Sequence, residues 1–445
     1  MSHLLRLSDV LAHFSDVLGP YWQRRRGTLG PPQVFLSLMV MSVLGSKGYQ
    51  RTIAEMKERL GSQLGWGGLG FEPSPSALSQ ARKKLDAERC AAISSRVLTL
   101  CSTARAHAAI GYGGFRLLAV DGTKLALPAL RAMREHFGGP SDEAGTMQGP
   151  QAGLTVLWDV GANMPVAWQL GPYRVSERVH ALALVEQLQP NDLLIGDRGI
   201  PSRNLLTEIF RRKANVLMRM RCSSSGSFRE VLDFTASDKL DDVITIGARD
   251  HHGNRTNGPT LSVRLLRHTL ADGSVAIFLT SLTDQHAHPA STLIQLYAQR
   301  WRIETGFREL KLWHGLERFH TRRPAGIAQE VCALMVFQML ASELEARARL
   351  TLGLPERQVG QADPPVLGLP QPVFRFNRRL VADEVVNILL AGSKGDADID
   401  AVFHQAMLRL WRYRQTVRPG RSFPRRRISP LRGWKGRGTK GKGRP

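Results

Sequence analysis

The segment YAQRWRIETGFRELK, residues 297–311, sets acids among a larger number of cations, with a phenol at its start. Read as a helix with about 100° between successive residues, it carries Tyr297, Arg300, Glu304 and Lys311 to roughly 0°, 300°, 340° and 320°. All four then share an arc about 60° wide. The segment has no Pro, and its one Gly, Gly306, costs on the order of 1 kcal/mol of helix stability, so a continuous helix is expected. One chemistry is bland: Glu304 pairs with Arg300 or Arg308 on a solvated face, each pair worth at most about 1 kcal/mol. In the other, Glu304 holds a metal ion while the cations beside it grip phosphates, and that requires further acids from elsewhere in the chain.

Two acids have a suitable setting. Asp121 follows the apolar run FRLLAV and precedes Gly122, and Asp197 follows LLIG within DRG. Each stands where a strand ends and its last side chain projects into a cleft. An Asx turn that caps a strand accounts equally for either one alone. If the two strands are neighbours in one sheet, both carboxylates lie at the same end, within reach of a common divalent ion. Oxygen ligands without Cys or His favour magnesium, with manganese as the alternative. Two such ions about 3.5–4 Å apart activate an attacking oxygen and stabilise a leaving oxygen in an in-line phosphoryl displacement. Glu304 would be the third carboxylate, from a helix packed on the sheet. Other acids read as structural: Asp159 ends LTVLW just before a hairpin turn at 161–163, and Asp192 leads into a strand. Glu309 points about 120° from the shared arc, towards solvent.

The elements that must position these groups are legible in outline. Residues 1–110 read as helices in VFLSLMVMSVLGSKG, in QRTIAEMKERLG with Gly61 as C-cap, and in one long helix SPSALSQARKKLDAERCAAISSRVLTL opened by Ser74 and Pro75. Helix, loop and a helix bearing Arg82, Lys83 and Lys84 suit a helix-turn-helix DNA reader; a bundle helix with a solvated basic end is the alternative. From about 115 the runs FRLLAVDG, AGLTVLWDV, MPVAWQLGP and DLLIGDRG, with helices SERVHALALVEQLQ and PSRNLLTEIFRRK, predict an α/β domain over 111–350 with a mixed sheet and flanking helices. Strand-like runs over about 215–290 read as a β-rich insertion. A Pro-rich connection leads into a helical region, 351–415, and a basic tail, 416–445, predicted to be disordered.

The formal net charge of +23 and pI near 10.8 point to a polyanionic partner, with nucleic acid first. From Arg412 onward the chain carries 13 Lys or Arg and no acid, a composition suited to non-specific phosphate binding. Apolar runs such as VFLSLMVMSVLG fall short of the roughly 20 residues of a membrane span, so no membrane partner is expected. The start, MSHLLRLSDVLAHF, lacks the pattern of a secretory signal and predicts a cytoplasmic protein. Cysteines 90, 101, 222 and 332 show no metal-type spacing and read as buried thiols; the pairs His251/His252 and His286/His288 lie in polar, turn-like segments.

The spacing Tyr297, Arg300, Glu304, Lys311 resembles the Y-R-E-K signature of transposases of the large bacterial insertion-sequence family typed as family four, which use a DDE active site. VDGTKLALP, 120–128, is similar to that family's first-aspartate block and LLIGDRGIPS, 193–202, to its second. SALSQARKKL and RPGRSFPRRR, 418–427, also look like segments of these proteins. The resemblance implies a ribonuclease H-like catalytic domain interrupted by a β insertion, cutting at inverted-repeat ends of an insertion sequence, and joining of the 3′ hydroxyl ends to target DNA. It implies Asp121, Asp197 and Glu304 as catalytic metal ligands, Tyr297, Arg300 and Lys311 as contacts to double-stranded DNA, and a homodimer in the DNA complex. Residues 215–290 contain no Trp of the kind that stacks on a flipped base in hairpin-forming relatives; Trp301 is a candidate for base stacking, with packing as its alternative. Competing readings are a metal-dependent nuclease without strand joining and a non-catalytic DNA-binding protein derived from a transposase.

Overall fold

The computed structural model describes residues 31–43, 48–60, 74–106, 112–141, 148–222, 227–247, 256, 258–270, 272–312, 314–353, 374–392 and 399–416. The N-terminal segment, Gly61, His251, His252, the Pro-rich connection and the tail from 417 lie outside these residues. Helices α1 (Pro31–Val43) and α2 (Tyr49–Leu60) form where the sequence predicts them. The long third helix is instead two, α3 (Pro75–Arg82) and α4 (Ala87–Leu100), followed by α5 (Ser102–Ala106). Ser74 accepts from the Ala77 amide to start α3, and Asp86 accepts from the Arg89 amide to start α4. An Asp serves better as an N-cap than inside a helix, which gives the chain a reason to restart at 86.

The sheet elements follow as β1 (Arg116–Ala126), α6 (Arg131–Phe137), β2 (Gln151–Asp159), β3 (Met164–Pro172), α7 (Glu177–Leu184), β4 (Asp192–Gly196), α8 (Arg203–Arg211), β5 (Asn215–Arg219), α9 (Arg229–Ala236), β6 (Asp241–Ile246), β7 (Leu261–Thr269) and β8 (Val275–Thr280). They make one eight-stranded mixed sheet in the order β3-β2-β1-β4-β5-β8-β7-β6. β3, β2 and β1 are antiparallel, β1, β4 and β5 are parallel, and β8, β7 and β6 continue antiparallel from β5. Asp159 has the turn role expected of it, its Oδ1 accepting from the Ala162 amide while Asn163 takes φ +54°. Asp192 opens β4 and clasps Arg116 through two bonds of 2.8 and 2.7 Å. The expected insertion from 215 is redrawn: β5 is a buried parallel strand beside β4, and β6 to β8 widen the same sheet.

The chain continues as α10 (Ala290–Tyr297), α11 (Trp301–Leu312), α12 (Pro324–Thr351), β9 (Phe374–Arg375), α13 (Arg378–Gly392), α14 (Ile399–Arg412) and β10 (Gln415–Thr416). Side chains alternate across a strand, so the two faces of the sheet carry two cores. Leu117, Ala119, Leu193 and Ile195 pack with α6, α10, α11 and α12, whereas Leu118, Val120 and Leu194 pack with α7, α8 and α9. A third core joins α1 to α4 with α12, α13 and α14. Helix α12 alone among the described residues has the length and composition of a membrane span, but 89% of that stretch is buried in the fold. A helix apolar all round is what a position between two cores requires. The helical N-terminal region is therefore docked on α12.

Candidate acidic active site

β1 and β4 run parallel with Leu118 beside Leu194, Ala119 beside Ile195 and Val120 beside Gly196. Asp121 and Asp197 are the next residues after this last pair, and the charge of Asp197 is felt at Asp121. Ala119 and Ile195 belong to the core under α10 to α12, and the period of two puts the two acids on that same face. Asp197 Oδ1 accepts from the Gly199 amide at 2.7 Å and closes the turn after β4, whereas Asp121 lies inside β1 opposite Val156, with Oδ1 accepting from the Gly122 amide at 2.9 Å; the strand end expected at Asp121 comes instead at Ala126. The turn-capping reading therefore holds for Asp197 alone, and each aspartate keeps a second carboxylate oxygen.

The third acid arrives on α11. A Cβ built on Gly306 would lie 2.7 Å from the indole of Trp158, which is fully buried on β2. Only a residue without a side chain lets α11 lie this close to the sheet, and that approach fixes Glu304 in the helix's first turn. The helix expected from 297 to 311 is interrupted: Tyr297 ends α10, residues 298–300 form a 3-10 turn, and α11 begins at Trp301. The tighter turn shifts the phase ahead of Glu304. Arg300 nevertheless reaches both ways, with Nη2 at 2.8 Å from Glu304 Oε1 and Nη1 at 3.5 Å from Asp121 Oδ2. Its guanidinium lies 6.0 Å from the Tyr297 ring centroid and 5.3 Å from that of Trp301. Tyr297 packs edge-on against Phe278, and Trp301 is 48% exposed. Lys311 donates to the Lys124 carbonyl on β1 at 2.9 Å and lies 3.1 Å from Glu317.

Burial pushes the Asp121 carboxyl up to about 7; the Gly122 amide and Arg300 oppose the rise, and the charges of Asp197 and Glu177 add to it. Tyr297 is pushed up to about 12, again mainly by burial and with Arg300 opposing. Glu177, first residue of α7, is raised by burial and by Asp197, with Lys124 opposing. Nothing in the local pattern singles out Glu177, since an acid in a first helical turn is ordinary. Its signal is spatial: the carboxyl occupies the space where Gly122 lacks a side chain.

Two expectations are corrected. Arg82 is 4% exposed, 2.8 Å from Glu330, and bonded to Gln329, Tyr49 and the Gly326 carbonyl, so its guanidinium ties α2, α3 and α12 together and faces no phosphate. Lys83 and Lys84 beside it are exposed. Glu309 is covered by α13, 3.4 Å from Arg378, and burial raises its carboxyl. A helical wheel carries no information about a helix that docks from 69 residues further along the chain.

Among the described residues no three His, Cys, Asp or Glu side chains stand close enough to enclose a metal ion as they are. The donor chemistry still fits a hard divalent cation, being all carboxylate. A positive group already stands between two of those carboxylates, the Arg300 guanidinium.

The sequence profile of the transposase DDE domain matches residues 112–340, just over half of the chain. The chain is 25% identical over 283 residues to the transposase InsG of insertion sequence element IS4 from Escherichia coli K12, a match that covers 59% of each protein. It therefore spans about three-fifths of the length of that curated relative. Among solved structures it is similar to the piggyBac transposase synaptic complex with hairpin DNA, at 11% identity and a TM-score of 0.42, covering 91% of this chain and 81% of that one; the score is too low to carry the comparison further. With the profile running from just ahead of β1 into α12 and so across Asp121, Asp197 and Glu304, the chain belongs to the DDE transposase family, of the insertion-sequence-four type.

Proposed function

We propose that this chain is a DNA transposase that cuts at the inverted-repeat ends of an insertion sequence and joins the freed 3′ hydroxyls to target DNA, using a ribonuclease H-like catalytic domain. The observation that carries the reading is the parallel pairing of Val120 with Gly196, each directly followed by an aspartate, with Glu304 linked to Asp121 through Arg300. Three antiparallel strands leading into a parallel pair support the ribonuclease H-like assignment. Asp121, Asp197 and Glu304 are the residues that hold magnesium or manganese. Such ions, when bound, supply Lewis-acid stabilisation of the phosphoryl oxygens in an in-line displacement.

The chain's own residues bind and orient DNA around that centre. Arg300 suits bidentate contact with a phosphate next to the scissile bond, and Lys311 acts as a point charge at the end of β1. Tyr297 gives Arg300 a half-buried wall, and the exposed Trp301 ring is free to stack on an unpaired base. Lys83 and Lys84 remain candidates for backbone contact, Arg82 does not. A homodimer assembled on the two ends completes the proposal.

The test uses the full chain with magnesium, a labelled duplex carrying the element's end, and supercoiled plasmid. Joined products are the expected outcome. Nicks alone favour a nuclease without joining, and mobility shifts alone favour a non-catalytic binder. Asp121→Ala, Asp197→Ala and Glu304→Ala should each lower cleavage by about three orders of magnitude while the DNA shift persists. A variant that still cuts removes its residue from the site.

A further inference from the structure

We propose that Glu177 is a fourth acidic residue of this centre, a positioning group that reaches the aspartates through the gap at Gly122 and strengthens binding of the divalent ion from its outer shell. The inference rests on the transposase reading above. Glu177 opens α7, which packs on the sheet face opposite α11. A Cβ built on Gly122 would fall 2.5 Å from Glu177 Cδ and 2.6 Å from its Cγ and Oε1. The carboxyl thus fills the volume of a missing side chain, against the backbone of the residue that follows Asp121.

Glu177 and Asp197 are within electrostatic reach of one another, and the charges of both raise the Asp121 carboxyl. Among the described residues Glu177 accepts no hydrogen bond and forms no ion pair. Lys124, the cation whose field it feels, gives its ammonium to the Tyr173 carbonyl at 2.8 Å and lies 4.9 Å from the Tyr173 ring centroid. A favourable helix dipole accounts for an acid at the start of α7, but any exposed acid satisfies it, and it places no demand on residue 122. A half-buried carboxylate kept without a donor beside two others, in a slot that only Gly admits, is the arrangement a cation completes. From the far face of the sheet Glu177 acts on the ion's water shell and on the field around it, while Asp121 and Asp197 hold the ion on the near face. Carboxylates in that outer position typically change metal affinity by about 10–100-fold.

Binding of Mn2+ to the DNA-free full chain, followed by the electron paramagnetic resonance of the free ion, tests this without reference to turnover, with Asp121→Asn as the control. Glu177→Gln should weaken Mn2+ binding about tenfold, and the variant without metal should melt no lower than wild type, because a repulsion has been relieved. Gly122→Ala should give a similar loss by evicting the carboxylate, and combining the two should add little. Unchanged Mn2+ affinity in Glu177→Gln, with Asp121→Asn impaired, overturns the role of Glu177 and leaves the metal centre standing. If wild type takes up no Mn2+, or Asp121→Asn takes it up as well as wild type, the reading of the centre itself fails.

Discussion

Arg300 is shared by Asp121 and Glu304, and it supplies the positive charge that the acids need before any ion or DNA arrives. Removing it leaves carboxylates about nine-tenths and two-thirds covered with less compensation, 15% and 32% of their side chains being exposed. Arg300→Ala should therefore lower the stability of the DNA-free chain at pH 7 by about 2 kcal/mol. Added magnesium should restore more of its melting temperature than it adds to wild type, by mass action on a site that no longer holds its own cation. Equal shifts in thermal melts of the two proteins would mean that Arg300 does not compete for the position. Asp159 offers a titration well away from these groups. Burial raises it to about 6, with the Ala162 amide and Arg116 opposing the rise. A folded-state value above the unfolded one, about 4, means the fold binds the proton more tightly. Stability is then greatest below the unfolded value, falls as pH rises towards about 6, and is constant above it. Asp159→Asn keeps an oxygen for the Ala162 amide, so it should gain up to about 3 kcal/mol at pH 7 and lose that part of the pH dependence. Urea denaturation at pH 4 and 7.5 measures both.

Helix α11 transmits the geometry of the sheet to Glu304, and its contact with Trp158 at Gly306 is the control point. Two effects oppose one another in Gly306→Ala. Helix propensity gains about 1 kcal/mol, while a methyl against a fully buried indole costs about 1–3 kcal/mol of overpacking. The clash prevails because Trp158 has no room to give, so the variant should be about 1 kcal/mol less stable with its secondary structure intact. Cleavage should fall by far more, about a hundredfold, because a displacement near 1 Å moves Glu304 away from the aspartates. Circular dichroism with the cleavage assay separates the two losses; a fall in activity no larger than the fall in folded fraction would sink the idea. The same contact explains which elements were legible in the sequence. Asp121 and Asp197 are readable because each follows an apolar run, although only Asp197 stands at a strand end and β1 continues past Asp121 to Ala126. Their being neighbours depended on the parallel pairing of β1 with β4, which no local pattern encodes. The break between α10 and α11 carried no Pro or Gly to announce it, and Arg82 among Lys83 and Lys84 looked solvated because its partner, Glu330, lies 248 residues away. Glu177 needed three dimensions, being separated from Gly122 by β2 and β3.

Across the chain, charge is divided between positions fixed by the fold and positions that are merely basic. Arginines such as Arg82, Arg116, Arg264 and Arg378 are committed to acids inside the fold and have little left to give to a polyanion. Much of the excess of +23 lies instead in residues 417–445, which contain 11 Lys or Arg and no acid. Phosphate contacts release counterions, and each lowers the slope of log affinity against log salt by about 0.9 for duplex DNA. Ending the chain at Thr416 should therefore flatten that slope for a duplex of unrelated sequence, by at most about ten if every one of those cations touches a phosphate. Cutting at a cognate end in low salt should survive the truncation, because Asp121, Asp197, Glu304, Arg300 and Lys311 all remain. Binding isotherms between about 50 and 200 mM salt give the slope directly, and an unchanged value would assign non-specific binding to the folded surface, with Lys83, Lys84 and Lys311 the next cations to replace.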